Sequence, residues 1–186
     1  MSVQVTKRYF NITEYYRMAE VGILSEDDRV ELIKGEIIRM APIGSRHAGC
    51  VSRLNNLLSR QVGEAALVSV QNPVRLSDFS EPQPDIMLLK PRDDFYSNEH
   101  PTPADVLLIV EVSDTSLEYD RDIKLPLYAA ASVQEVWLVN LIKETVEIYR
   151  DSRSGMYREV RYATHGESVS PQFNPNLVIN IDAILG

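Results

Sequence analysis

Cysteine is nearly missing from this chain. Cys50 stands alone among 186 residues, so no internal disulfide can form and no cysteine-based zinc site can be built. Long apolar stretches are missing too. The longest strongly apolar run, Val106 to Val110, is cut by Glu111, whereas a helix crossing a bilayer needs roughly 20 apolar residues. The opening MSVQVTKRYFNIT carries no apolar signal core. These absences predict a protein of the reducing cytoplasm with no membrane partner. No internal repeat, low-complexity tract or Gly/Ser-rich linker interrupts the chain, so residues 1–186 read as one domain. Positive charge is scarce as well: 19 lysines and arginines face 27 acids, a formal net charge of −8. Proteins that grip nucleic acid by phosphate contacts alone are usually basic. Any such grip must therefore come from a local patch or a bound metal. A hydrophobic share of 44% and a charged share of 25% exclude fibrous, collagen-like and disordered chains.

Local patterns supply the elements. Asn11 and Glu14 have capping-box spacing, which predicts a helix to about Glu20 with a stop at Gly22. Arg29 to Met40 reads as a hairpin turning near Lys34-Gly35. Ser45 is a candidate cap for a helix over Arg46 to Val62, where Val51, Leu54, Leu58 and Val62 recur at helical spacing. Strands are expected over Ala66–Leu76, Asp85–Leu89, Val106–Val112, Val133–Asn140 and Thr145–Arg150. The third of these is apolar on both faces and should be central. Pro126 has no N–H to donate and fits only a first helical turn, so the helix that ends near Ala131 should start near Asp122 or Ile123. Tyr157–Tyr162, Val169 and Leu177–Ile181 read as short antiparallel strands. The mixture predicts an α+β fold.

Two acids carry the chemistry. Asp85 opens one strand and Glu111 nearly closes another. If the strands pair antiparallel, residue 85 faces roughly 111, and cross-strand partners have Cβ atoms about 4.5–5.5 Å apart. Two carboxylates that close repel, and a buried charge at the end of an apolar strand is costly unless paired. A divalent cation offsets both costs, and oxygen ligands suit Mg²⁺ or Mn²⁺. Lys124, at a helix start, is the nearest cation that could neutralise the pair, orient an attacking water or stabilise charge on a phosphate.

The ordered set ELIKGE (31–36), His47, Pro84-Asp85, Glu111-Val-Ser113, Asp120, Lys124, Tyr128 and EVWLVN (135–140) resembles the Uma2 family, also called DUF820, of the PD-(D/E)XK nuclease superfamily. The resemblance covers roughly residues 10–150, with strands over 151–186 added. It implies a restriction-endonuclease-like, four-stranded mixed central sheet flanked by helices, and Mg²⁺-dependent cleavage of DNA. It carries Asp85 over as the acid of the PD motif and Glu111 as that of E-x-K, with both as metal ligands. Ser113 stands where the superfamily usually has lysine, and the lysine of Uma2-like chains matches Lys124 on the following helix. Glu36 or Glu31 would supply the upstream acid, and His47 would aid proton transfer or hold that acid. Ser132 stands where relatives often have glycine, and Asn140 where they often have aspartate.

Each residue has a structural reading beside the functional one. Asp85 could cap a turn, Lys124 could be a solvated helix lysine, Asp120 a helix cap or a partner of Lys124, and Tyr128 a core tyrosine. Arg46, Arg53 and Arg60 recur every seven residues and form one helical stripe, which could meet phosphates or simply be solvated. The leading expectation is an endonuclease acting on DNA with Mg²⁺ or Mn²⁺. A nuclease fold kept as a binding or regulatory module, and a metal-dependent hydrolase of small phosphoesters, are the alternatives. A homodimer would suit cleavage of two strands, although no residue in the sequence specifies an interface.

Overall fold

The computed structural model describes residues 6–25 and 27–186. The expectation about a signal core in the first residues therefore lies partly outside the described residues. No helix among those described is long and apolar enough to cross a membrane. Helix α1 (Ile12–Glu20) begins at the expected capping box: Asn11 Oδ1 accepts from Glu14 N–H at 2.9 Å, and Glu14 reaches back to Asn11 N–H at 3.1 Å. Strands β1 (Val30–Ile33) and β2 (Glu36–Arg39) form the predicted hairpin. Its turn residues Lys34 and Gly35 both adopt positive φ, 49° and 78°, as a two-residue hairpin turn that follows the strand twist requires. Helix α2 (Ser45–Gln61) buries Cys50, Val51, Leu54 and Leu58. Its N-cap is Gly44 rather than Ser45, and no side chain caps it.

The fold is α+β, built around a mixed sheet. Among the described residues that sheet has six strands, in the order β3 (Leu67–Val70), β4 (Ile86–Leu89), β5 (Val106–Ser113), β6 (Glu135–Asn140), β7 (Thr145–Arg153) and β8 (Met156–Thr164). Strands β5 and β6 run parallel and the other neighbours antiparallel. The sheet is wider than the four strands implied by the resemblance, because β7 and β8 extend it on one side. Strand β5 is central and buried on both faces, as its unbroken apolar run predicts. Ile86, Leu88, Leu108, Val110 and Trp137 pack on one face with α2 and the C-terminal pieces β9 (Ser168–Val169), β10 (Ile179–Asn180) and α5 (Ile181–Leu185). Met87, Ile109, Val136 and Leu138 pack on the other with Leu125 and Tyr128.

Two elements depart from expectation for identifiable reasons. The strand expected over Ala66–Leu76 ends at Val70, because Gln71 turns left-handed at φ 51°. The helix expected to start near Asp122 begins earlier. It runs as α3 (Leu117–Tyr119), a π-helical turn (Asp120–Lys124) and α4 (Leu125–Ala130). In the wider turn Leu125 N–H reaches back to Asp120 C=O, and this slip leaves Pro126 in the first turn of α4, where its missing N–H costs nothing. Ser132, where the resemblance leads one to expect glycine, adopts φ 65°, a region glycine enters without strain.

Candidate active site

The β4–β5 register pairs Ile86 with Val110, so Asp85, one residue before β4, comes opposite Glu111 as the strand argument requires. A bulge between Leu88 and Leu89 then shifts the far end, and Leu89 meets Val106 rather than residue 107. Backbone bonds lock the two acids together. Asp85 N–H donates to Glu111 Oε2 at 3.3 Å, and Val112 N–H donates to Asp85 Oδ2 at 2.9 Å. Both line a cleft of about 420 Å³ at this end of the sheet, between the hairpin, the loop before α2 and the π turn.

Each helical layer contributes a partner. From the first turn of α2, His47 Nε2 sits 2.9 Å from Asp85 Oδ2, and Gln71 Nε2 donates to Oδ1 at 3.2 Å. From the π turn on the opposite face, Lys124 Nζ lies 3.2 Å from Glu111 Oε1 and 3.5 Å from Glu31 Oε2. Tyr128 Oη donates to Glu111 Oε1 at 2.5 Å. Glu31 is held in turn by Tyr119 Oη at 2.9 Å and Gln83 N–H at 3.1 Å. Asp120 accepts from the hydroxyls of Ser113 at 2.8 Å and Ser116 at 2.6 Å. The π turn thus aims both Asp120 and Lys124 inward, a placement that a helix starting at Asp122 would not provide.

Burial and charge set the protonation states. Burial pushes the Glu111 carboxyl up to about 8; Asp120 and Asp85 add to this and the Lys124 ammonium opposes it. Lys124 is raised: burial lowers it, but Glu111, Glu31 and Asp120 together prevail. For Asp85 burial is the largest single influence and acts upward, yet His47, Val112 N–H and Gln71 outweigh it and leave the carboxyl below its ordinary value. His47 is raised, chiefly by its hydrogen bond to Asp85. Asp120 is raised, mainly by burial.

Asp85, Glu111, Lys124 and His47 all line the cleft. Glu36 does not. It shares a hairpin face with Glu31 but lies at the turn end, about 7 Å farther along the strand, and its exposed carboxylate pairs with Lys7 at 2.8 Å. The expectation that Glu36 joins the site is therefore corrected, and Glu31 is the hairpin acid that reaches the cleft. Two of the three arginines in the stripe are tied to the backbone: Arg46 donates to Leu141 C=O at 2.7 Å, and Arg53 donates to Ile184 C=O at 3.3 Å and to Leu185 C=O, while Arg60 is exposed. Tyr119, Gln71 and Gln83 went unread in the sequence. Nothing in a one-dimensional pattern marks a left-handed Gln71 or a backbone N–H at Gln83, although Tyr119 does precede Lys124 by one π turn.

A family model covers most of the chain, the cleft-bearing segments included. The Uma2 family, described as "Putative restriction endonuclease", matches residues 12–182. The chain belongs to the Uma2 family. Among its relatives is an uncharacterized Synechocystis protein, sll1609, 26% identical over 155 residues that span 81% of this chain and 85% of the relative. Among solved structures, a crystal structure titled a putative nuclease belonging to DUF820, from Anabaena variabilis, superposes with a TM-score of 0.71 at 17% identity. The match covers 95% of this chain and 97% of that one. At that identity the likeness speaks for the fold: this Uma2 chain has the architecture of the Anabaena protein over nearly its whole length.

Proposed function

We propose that this Uma2 chain is a divalent-metal-dependent DNA endonuclease that hydrolyses phosphodiester bonds in the cleft around Asp85, Glu111 and Lys124. The observation that carries the reading is Glu111, 2% exposed at the end of the central strand yet facing Asp85 across the β4–β5 pair. A buried acid beside a second acid is costly, and such an arrangement persists where it serves a ligand.

The donor set fits Mg²⁺ or Mn²⁺. Among the described residues no three His, Cys, Asp or Glu side chains converge into a complete cage, but Mg²⁺ commonly takes one or two carboxylates and keeps several waters. Asp85 and Glu111 would hold it, and the cleft leaves room for the waters. The cleft acids Glu31, Asp85, Glu111 and Asp120 outnumber Lys124 and His47, which favours a cation. When bound, the ion would polarise the phosphate and lower the pKa of a water. Lys124 keeps a fixed positive charge at the cleft floor, where it stabilises charge growing on phosphate oxygens or orients the attacking water. Glu31, clamped by Tyr119 and Gln83, holds that ammonium in place. His47 orients the Asp85 carboxylate and is placed to pass a proton.

Plasmid DNA incubated with the purified chain and Mg²⁺ or Mn²⁺ is the test. Nicking that needs the metal and is lost in Asp85→Ala supports the reading. No nicking with either metal, and no difference on Asp85→Ala, sinks it. Two observations favour other uses of the same fold. Both Asp85 oxygens are already engaged by His47, Val112 and Gln71, as in a fold kept for binding or regulation; absence of Mg²⁺ or Mn²⁺ binding in calorimetry would favour that module. The small cleft and the net charge of −8 suit a compact phosphoester; faster turnover of a chromogenic phosphodiester than of plasmid would favour that substrate.

A further inference from the structure

We propose that the free edge of β8 is a self-association surface, on which a second copy of this chain pairs its own β8 antiparallel with Val160 opposite Val160. This surface lies outside the cleft and does not depend on the nuclease reading.

Strand β8 is nine residues long and ends the sheet, bonded only to β7. From Tyr157 to Ala163 no described segment bonds the outward side of its backbone; the first such bonds are at Thr164, through Glu167. A long, open edge is a template for another strand. Val160 and Tyr162 stand on one face of it, 43% and 62% exposed. Glu159 and Arg161 stand on the other face, both exposed. Arg161 is steadied by Ser168 C=O at 3.3 Å and only loosely approaches Glu167, at 3.9 Å.

Charge decides both the occupant and the register. Backbone groups of alternate residues point outward, so in a self-paired edge the partners must both be even-numbered or both odd-numbered. Centring the pair on Glu159 puts two carboxylates face to face, and centring it on Arg158 or Arg161 does the same with two guanidiniums. Like charges directly opposite destabilise a sheet. Centring on Tyr162 sets Arg161 against Ala163 and gains no charge pair. Centring on Val160 sets Glu159 against Arg161 twice, two opposite-charge pairs. The two Val160 side chains then meet between the tyrosines, and apolar surface now facing water is covered. Edge charges usually repel a second strand; here they complement a copy of themselves in this register.

The symmetry axis stands perpendicular to the sheet. Strand β5 lies three strands inward, so both clefts stay open, at opposite ends of the joined sheet. Loss of the dimer should leave the chemistry of each cleft unchanged, and Asp85→Ala should leave the dimer intact.

Sedimentation equilibrium of the full chain tests this. The expected result is a dimer whose dissociation constant rises about tenfold or more in Glu159→Arg and in Arg161→Glu, and returns close to the parent value in the double charge swap. Val160→Cys should form a disulfide dimer under mild oxidation, because directly opposed Cα atoms fall within the span of a disulfide. Tyr162→Cys should not, since its two copies would lie about 13 Å apart. The native Cys50 is buried and does not compete. A chain that stays monomeric at all concentrations, or a dimer indifferent to both single charge reversals, overturns the proposal.

Discussion

Lys124 Nζ and Glu111 Oε1 meet at 3.2 Å with side chains only 6% and 3% exposed. Burying a charge on either costs several kcal/mol, returned only when its remaining bonds are also made. Here they are: Tyr128 and the Asp85 N–H complete Glu111, and Glu31 completes Lys124. The pair is one part of a closed polar network, so removing any one member exposes the others.

Replacing Lys124 by Met should therefore destabilise the fold by about 3 kcal/mol at neutral pH, because the buried Glu31 loses its cation and Glu111 loses a hydrogen-bond donor. The loss should be smaller at pH 5 than at pH 9, since the stranded acids can take up protons. Urea unfolding at the two pH values measures it, and an unchanged midpoint at both would contradict the network.

Glu111 controls the slope of stability against pH in metal-free buffer. Its folded carboxyl is raised from 4.5 to about 8. Its contribution is therefore full below pH 4.5 and is lost as pH climbs through about 8, with a slope of up to about 1.4 kcal/mol per unit. Glu111→Gln cannot titrate. Across pH 5–8 the variant should lack that downward slope, as thermal or urea unfolding in EDTA will reveal.

His47 and Asp85 shift in opposite directions. The lowered Asp85 contributes above its ordinary 3.8 and loses its contribution as pH falls through its folded value. The raised His47 contributes below 6.5 and loses its contribution as pH rises through its folded value. The ion pair is thus strongest between about pH 4 and 6.5. His47→Ala should cost about 1–3 kcal/mol there and less at pH 8.5, a difference readable from urea midpoints at pH 5.5 and 8.5.

Gly35 supports the hairpin that delivers Glu31. It holds φ 78°, and a Cβ there would stand 2.6 Å from the Tyr9 Cβ and 3.2 Å from Phe10 backbone atoms. Gly35→Ala should cost more than about 1 kcal/mol. Because β1 carries Glu31, the variant should also lower any metal-dependent nicking; an unaltered melting temperature would argue against this packing.

Much of the site was legible before folding. The alternation of β4 and β5 placed Asp85 opposite Glu111, since an antiparallel pair with known ends leaves few registers. Lys124 followed from its place at a helix start after Glu111 and from the resemblance. The choice between Glu31 and Glu36 was not legible. The two occupy one face of a hairpin, and only the direction in which that hairpin meets the sheet separates cleft from solvent. The π turn was hidden for a similar reason. Pro126 announces a missing hydrogen bond, but whether the chain starts a helix there or widens one turn depends on which side chains find a buried polar partner.

The residues by themselves determined an α+β domain with a doubly buried central strand, because an unbroken apolar run can satisfy water only by leaving it on both faces. They also determined that two acids would converge, because strand pairing is short-ranged geometry. Tertiary packing alone decided which hairpin acid reaches the cleft, how Lys124 is turned inward, and which strand is left at the sheet's edge. Those outcomes depend on contacts between segments distant in the chain, whose energies no local pattern records.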